Sequence, residues 1–218
     1  MRPARWSLVF LIAAIACRDA LVQSLPLVET PPLRPGEPLA VFVSGDGGWR
    51  AIDRRIAQGL HARGYGVVGL ISPRFFARRR TPEEAAAALQ EIVERYSAAW
   101  HAPKVVVGYS RGAGVLPFMI NRLEPRWRSR IALVALLGLE PTIDFQVTPL
   151  PTREIPVRGE IERLRGKRVL CFYGLNERDS LCRELSPGLA IAIAEPGAHH
   201  FNGNYDDLAR TIWRWTRT

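Results

Sequence analysis

The chain is predicted to be an α/β protein built on a mostly parallel sheet with helices on both faces, and three observations predict it. From Pro38 onward, apolar runs of strand length alternate with longer amphipathic stretches, the pattern of βαβ units. A β-branched run ending at Val107 feeds Gly108-Tyr109-Ser110-Arg111-Gly112 and then a helix-like segment. The 218 residues, 47% hydrophobic and 23% charged, suit one domain with a substantial core and exclude a disordered chain.

The first residues follow the secretory plan. Arg2 and Arg5 form a basic start, Trp6 to Ala16 an apolar stretch too short to span a bilayer comfortably, and Ala14-Ile15-Ala16 a small-x-small cleavage site. Residues 1–16 are therefore expected to be a signal peptide. Cys17, directly after the cleavage site, has a second reading as the lipidated first residue of a bacterial lipoprotein. Ala14 is a poor substitute for the usual leucine there, so soluble export is preferred. Residues 17–37, with Pro26, Pro31, Pro32 and Pro35, read as a Pro-rich lead-in or tether.

Residues 38–218 then form one domain. Strands are expected at Leu39 to Ser44, Val67 to Ile71, Val105 to Gly108, Ile131 to Leu137, Val169 to Tyr173 and Leu189 to Ala194. Helices are expected at Asp53 to Arg63, Thr81 to Trp100, Gly112 to Leu123 and Asp206 to Trp215, each with apolar residues at three-to-four spacing. The second is best signalled: Thr81-Pro82-Glu83-Glu84 supplies a capping threonine, a proline at the first helical position and a glutamate at the third. Residues 140–166 break the rhythm with prolines and polar residues, and are expected to be a small cap or lid over the site.

The net charge is +9, and all of the 30 basic residues except Lys104 and Lys167 are arginine. They cluster at Arg78-Arg79-Arg80 and from Arg126 to Arg130, without a nucleic-acid-binding motif, so nucleic acid is not expected as a partner. A solvated basic surface explains most of the charge, and an anionic membrane surface is the next partner it suits. In an exported protein Cys171 and Cys182 are expected to form a disulfide, worth about 3 kcal/mol on the chain-entropy model.

The G-x-S-x-G pattern reads as a nucleophile elbow, a sharp strand-to-helix turn with Ser110 at the top of a sheet. A serine hydroxyl is a weak nucleophile unless a base takes its proton and an acid orients that base. In the α/β-hydrolase order the acid and then the histidine follow the serine on loops after later strands. Asp179, in the loop after the penultimate expected strand, is the preferred acid; Glu177 is next and Asp144 third. Of four histidines, His199 and His200 stand in the loop after the last strand. His199 is preferred as the base for its Gly-x-His-x-Phe setting, with His200 packing or binding substrate.

Acyl transfer also needs donors for the oxyanion. One is expected from the Arg111 amide and the other from Asp46 or Gly47, in the glycine-rich exit of the first strand, Ser44-Gly45-Asp46-Gly47-Gly48-Trp49. That stretch lacks the Lys-Ser/Thr pair of a phosphate-binding loop. The chemistry calls for no metal and no cofactor.

Several stretches together resemble the bacterial virulence VirJ/AcvB family from about Leu39 to the C-terminus. They are Ser44 to Trp49, Gly108 to Ala113 with Val115-Leu116-Pro117-Phe118 behind it, Cys171 to Asp179 with Cys182, and Pro196 to Phe201 through Asn204-Tyr205. The resemblance implies a periplasmic protein with an α/β-hydrolase fold, and Ser110 as nucleophile with Asp179 and one histidine of the pair. Some members hydrolyse aminoacylated phosphatidylglycerol, notably the lysyl form, and some are linked to type IV secretion of virulence cargo. The expectation is thus an exported serine hydrolase of carboxylic esters acting on an aminoacyl ester of an anionic phospholipid. Its rivals are a periplasmic binding or assembly protein and a generic esterase.

Overall fold

The structure is a computed structural model that describes residues 25–150 and 153–217. The expected signal peptide and Cys17 lie outside the described residues. A seven-stranded sheet runs in the order β1-β3-β2-β4-β5-β8-β9. Its strands are β1 (Leu27–Thr30), β2 (Pro38–Val43), β3 (Gly66–Leu70), β4 (His101–Tyr109), β5 (Leu133–Leu137), β8 (Val169–Gly174) and β9 (Ile191–Glu195). Only β1 is antiparallel to its neighbour, pairing Leu27 with Leu70 and Thr30 with Val67. All six strands read from the sequence are present. The seventh, β1, corrects the picture of residues 17–37 as a mere lead-in, because Leu27–Thr30 joins the sheet as its edge. Among proline-rich flanks, so short a segment carries no alternation of its own, and an edge strand tolerates nearby proline.

The parallel strands are apolar on both faces, as a sheet covered on both sides requires. Along β2, Leu39, Val41 and Val43 face one core while Ala40 and Phe42 face the other. The first core is closed by α3 (Pro82–Ala99) and α4 (Arg111–Asn121), the second by α1 (Ala51–His61) and α7 (Tyr205–Trp215). The short helices α2 (Ser72–Phe75), α5 (Pro125–Arg128) and α6 (Arg158–Glu162) cap loops. Helix α3 starts as its sequence signal demands: the Thr81 side chain accepts from Glu84 N–H while Glu84 accepts from Thr81 N–H. Against the second face α1 and α7 approach closely at Gly59, where a Cβ would lie 2.5 Å from that of Ala209.

The excursion after β5 holds a two-stranded pairing of β6 (Thr142–Ile143) with β7 (Ile155–Pro156), followed by α6. It packs into the first core through buried Ile143, Phe145, Val157, Ile161 and Leu164. Its Asp144 joins Arg111, the residue after Ser110. Cys171 in β8 is bonded to Cys182, with Cα atoms 5.4 Å apart, and this closes the loop between them onto the sheet. Such a bond is compatible with an oxidising, extracytoplasmic compartment. Reducing it is expected to cost about 3 kcal/mol and to lower Tm by roughly 6–12 °C, measured as thermal unfolding with and without a thiol reductant.

Candidate active site

Strand β4 ends at Tyr109 and α4 begins at Arg111, so the chain turns from sheet to helix at Ser110 alone. Ser110 does so at φ 53° and ψ −116°, a conformation that costs a non-glycine residue about 1–3 kcal/mol. Glycines on either side allow the close approach. A Cβ on Gly108 would lie 2.4 Å from the Gly112 carbonyl oxygen, and one on Gly112 would lie 1.9 Å from that of Val43. The strained residue is held by its N–H donating to Leu137 O at 2.8 Å and its carbonyl accepting from Gly114 N–H at 3.1 Å.

The loops after β5, β8 and β9 meet at the same sheet edge. His199, after β9, shares a hydrogen bond of 2.5 Å between its Nδ1 and Glu177 Oε1. The turn after β8 presents that carboxylate: Glu177 N–H donates to Gly174 O at 2.9 Å, and Glu177 Oε2 accepts from Gly174 N–H at 3.1 Å. Behind the imidazole lies Gly138 at φ 62°, where a Cβ would fall 2.6 Å from His199 Cε1. Burial works against ionisation of Glu177, but the His199 and Gly174 hydrogen bonds outweigh it and hold the carboxyl below its ordinary range. The hydrogen bond to Glu177 likewise raises the pKa of His199 against the effect of its own burial. With Nδ1 occupied by a carboxylate, the proton is fixed on that nitrogen and Nε2 is the basic atom.

Here the structure departs from the expected assignment. Asp179, the preferred acid, is exposed and is not the partner of His199; Glu177, two residues earlier, is. The tight turn at Gly174 folds position 177 back toward the strand end and leaves position 179 on the surface. Asp144 is also committed elsewhere: its carboxylate accepts from Arg111 Nη1 at 2.9 Å and from Gln146 N–H at 2.8 Å.

Ser110, Tyr109, His199 and His200 line one cavity of about 410 Å³ with the Gly45–Gly48 loop. That loop lies against the nucleophile, since a Cβ on Gly45 would sit 3.3 Å from Ser110 Cβ. It is a turn closed by Gly48 N–H donating to Gly45 O at 3.0 Å, and Arg50 Nε donates to Gly47 O at 2.7 Å. The amides of Asp46 and Gly47, and that of Arg111 in the first turn of α4, are the expected oxyanion donors. The first amides of a helix have no partner within it, which suits the Arg111 N–H to a developing negative charge.

Three features escaped the sequence reading. The largely buried Arg111 side chain clamps two loops, pairing with Asp46 of the glycine-rich turn and with Asp144 of the excursion. These partners are far apart in sequence, so no local pattern announces them. Asp53, placed in the sequence only at a helix start, lines the same cavity fully buried; one carboxylate oxygen accepts from Arg50 N–H, and burial pushes its pKa up to about 6. Tyr109 bonds His200 Nδ1 through its hydroxyl at 2.7 Å, which ties His200 to the strand end, whereas His199 is tied to the acid. His199→Ala is therefore expected to lower ester turnover by about 10³-fold or more. His200→Ala should stay within about tenfold; steady-state kinetics of both variants on one short ester checks the pair.

The profile of the family described as "Bacterial virulence protein (VirJ)" matches residues 37–218. No curated protein sequence matches the chain. Among solved structures, Est1E from Butyrivibrio proteoclasticus is similar with a TM-score of 0.66 at 11% identity, covering 88% of this chain and 94% of that one. MenH from S. aureus has a TM-score of 0.64 at 11% identity, covering 89% and 98%. A thioesterase domain from the curacin biosynthetic pathway has a TM-score of 0.58 at 13% identity, covering 86% and 94%. At such identities the likeness is one of fold, and the fold is that of the α/β-hydrolases.

Proposed function

The chain belongs to the bacterial virulence protein (VirJ) family, and from that membership and the geometry at Ser110 we propose that it is a serine hydrolase of carboxylic esters. The single observation that carries this reading is the convergence of Ser110 on a strained elbow with the His199–Glu177 pair at one cavity. A strained nucleophile elbow and a carboxylate-paired histidine at one cavity are what acyl transfer requires and what a docking surface does not.

In this mechanism His199 Nε2 takes the Ser110 hydroxyl proton as Oγ attacks the ester carbonyl. The oxyanion of the tetrahedral intermediate is received by the amides of Arg111 and of Asp46 or Gly47, each worth about 3 kcal/mol. His199 then gives its proton to the leaving alcohol, and an acyl-enzyme forms on Ser110. Water, deprotonated by the same nitrogen, releases the acid. Glu177 stays ionised throughout, fixing the tautomer and stabilising the transient imidazolium.

For the substrate we propose an aminoacyl ester of an anionic phospholipid, of the lysyl-phosphatidylglycerol type, met at a membrane surface on the outer side of the inner membrane. Support comes from the resemblance of the sequence to the VirJ/AcvB family and from carboxylates beside the nucleophile in an otherwise basic chain. Asp46, already paired with Arg111, lines the cavity, and the exposed Glu140 lies within electrostatic reach of His199, where a cationic acyl group would be received. The generic esterase reading shares the same machinery and differs only in substrate. Purified protein incubated with lysyl-phosphatidylglycerol and with a panel of simple esters separates them. Release of lysine abolished by Ser110→Ala supports the phospholipid substrate, turnover of the simple esters alone supports the generic esterase, and turnover of neither contradicts the hydrolase.

A further inference from the structure

The Arg78-Arg79-Arg80 cluster takes no part in the site described so far. Its turn is fastened to the excursion after β5 by backbone bonds: Arg80 N–H donates to Phe145 O at 3.0 Å, and Val147 N–H donates to Phe76 O at 2.8 Å. Between the two segments lies a cavity of about 360 Å³, lined by Arg79, Arg80 and Arg153 and by the apolar faces of Pro82, Phe145 and Ile155. Three guanidinium groups thus line one space. Arg80 is held in place, its Nε donating to Phe75 O at 3.1 Å and its guanidinium lying 4.5 Å from the centre of the Phe75 ring. The nearest carboxylate to it is Glu84 at 3.8 Å, which Arg78 shares. Among the described residues no carboxylate pairs with Arg79 or Arg153.

The cavity adjoins the nucleophile. Asp144 forms part of its wall, Arg111 joins Asp144 to Asp46, and Asp46 lines the cavity that holds Ser110. One ion-paired triad therefore separates the two spaces. Asp144, the acid in the lining, is already engaged by Arg111, so the three arginines lining the groove give it a positive charge that a bound anion would offset.

We propose that this groove is an anion subsite for a phosphodiester group of the substrate. Arginine forks match the oxygens of a tetrahedral phosphate from more than one side, and a phosphodiester carries its charge between two organic arms. One arm lies toward Ser110 and the other along Phe145 and Ile155. This assignment deepens the ester-hydrolase reading and rests on it for the subsite's role, but binding can be measured without turnover.

The test uses the full chain carrying Ser110→Ala, and the same chain with Arg79→Glu and Arg153→Glu added; both arginines are exposed. A control with equal charge change, Arg210→Glu with Arg214→Glu, lies on α7 against the opposite sheet face. Flotation with phosphatidylglycerol/phosphatidylcholine vesicles is expected to show binding weakened about tenfold or more in the groove variant and by less than half that factor in the control. Soluble glycerophosphoglycerol distinguishes the source: competition with the vesicles shows that the headgroup phosphodiester suffices, and binding of vesicles without competition assigns the group as presented in a bilayer. Equal losses in groove variant and control would show bulk charge only and overturn the subsite. Hydrolysis of a neutral short ester by the protein with Ser110 intact is expected to be unchanged by the groove substitutions. Absence of hydrolysis of both the neutral ester and lysyl-phosphatidylglycerol by the native protein contradicts the hydrolase and leaves the binding result to stand by itself.

Discussion

Glu177→Gln is expected to lower kcat/KM by about 10⁴-fold, the scale set by removing the charge of a triad acid while keeping its shape, whereas Asp179→Asn stays within about twofold. The glutamine amide retains the size of the carboxylate but can present an N–H donor to His199 Nδ1, which stabilises the tautomer with its proton on Nε2. That tautomer cannot accept from Ser110. The same substitution removes the hydrogen bond that raises the pKa of His199. Since only the neutral imidazole acts as base, the acid limb of the native kcat/KM profile should lie above pH 6.5, the ordinary histidine value, and should move down in Glu177→Gln. Asp179 is exposed, so its neutralisation should leave both rate and profile where they were. Profiles of the three proteins on one short ester between pH 5 and 9, a range of about two units either side of neutrality chosen to bracket a histidine, check both statements.

Gly112→Ala is expected to remove at least about 4 kcal/mol of stability and with it most soluble protein. The added methyl would lie 1.9 Å from the Val43 carbonyl oxygen and 2.7 Å from the Val43 carbonyl carbon. Both belong to backbone of β2, an inner strand bonded to β3 and β4, so neither can yield without shifting the sheet centre. Gly159→Ala is the contrast, because a Cβ there meets nothing within 4 Å. In helix α6 it should be neutral or stabilising by up to about 1 kcal/mol. Thermal unfolding of the two variants should differ by about 8 °C or more, roughly 2–4 °C per kcal/mol at this chain length.

The alternation of apolar runs and amphipathic stretches sufficed for six strands and four main helices because each is long enough to carry its own period or cap. Strand β1 was hidden because four residues among prolines hold no period, and only the edge of β3 selects them. The elbow was legible because its glycines are demanded by backbone approach at 108 and 112. Which acid meets His199 was not, since Glu177 and Asp179 share one loop and the choice turns on a hydrogen-bonded turn at Gly174. The Arg111 clamp is a tertiary fact, joining position 111 to 46 and 144, and the excursion read as a lid proved to be buried in the core through Ile143 and Phe145.

The most direct measurement is intact and peptide mass spectrometry after treatment with a fluorophosphonate, which phosphonylates a serine only when an adjacent base activates it. One adduct is expected, on the peptide carrying Ser110, formed far more slowly in His199→Ala and Glu177→Gln and absent in Ser110→Ala. Equal labelling of the native protein and Ser110→Ala, or none in a folded native protein, would contradict the hydrolase.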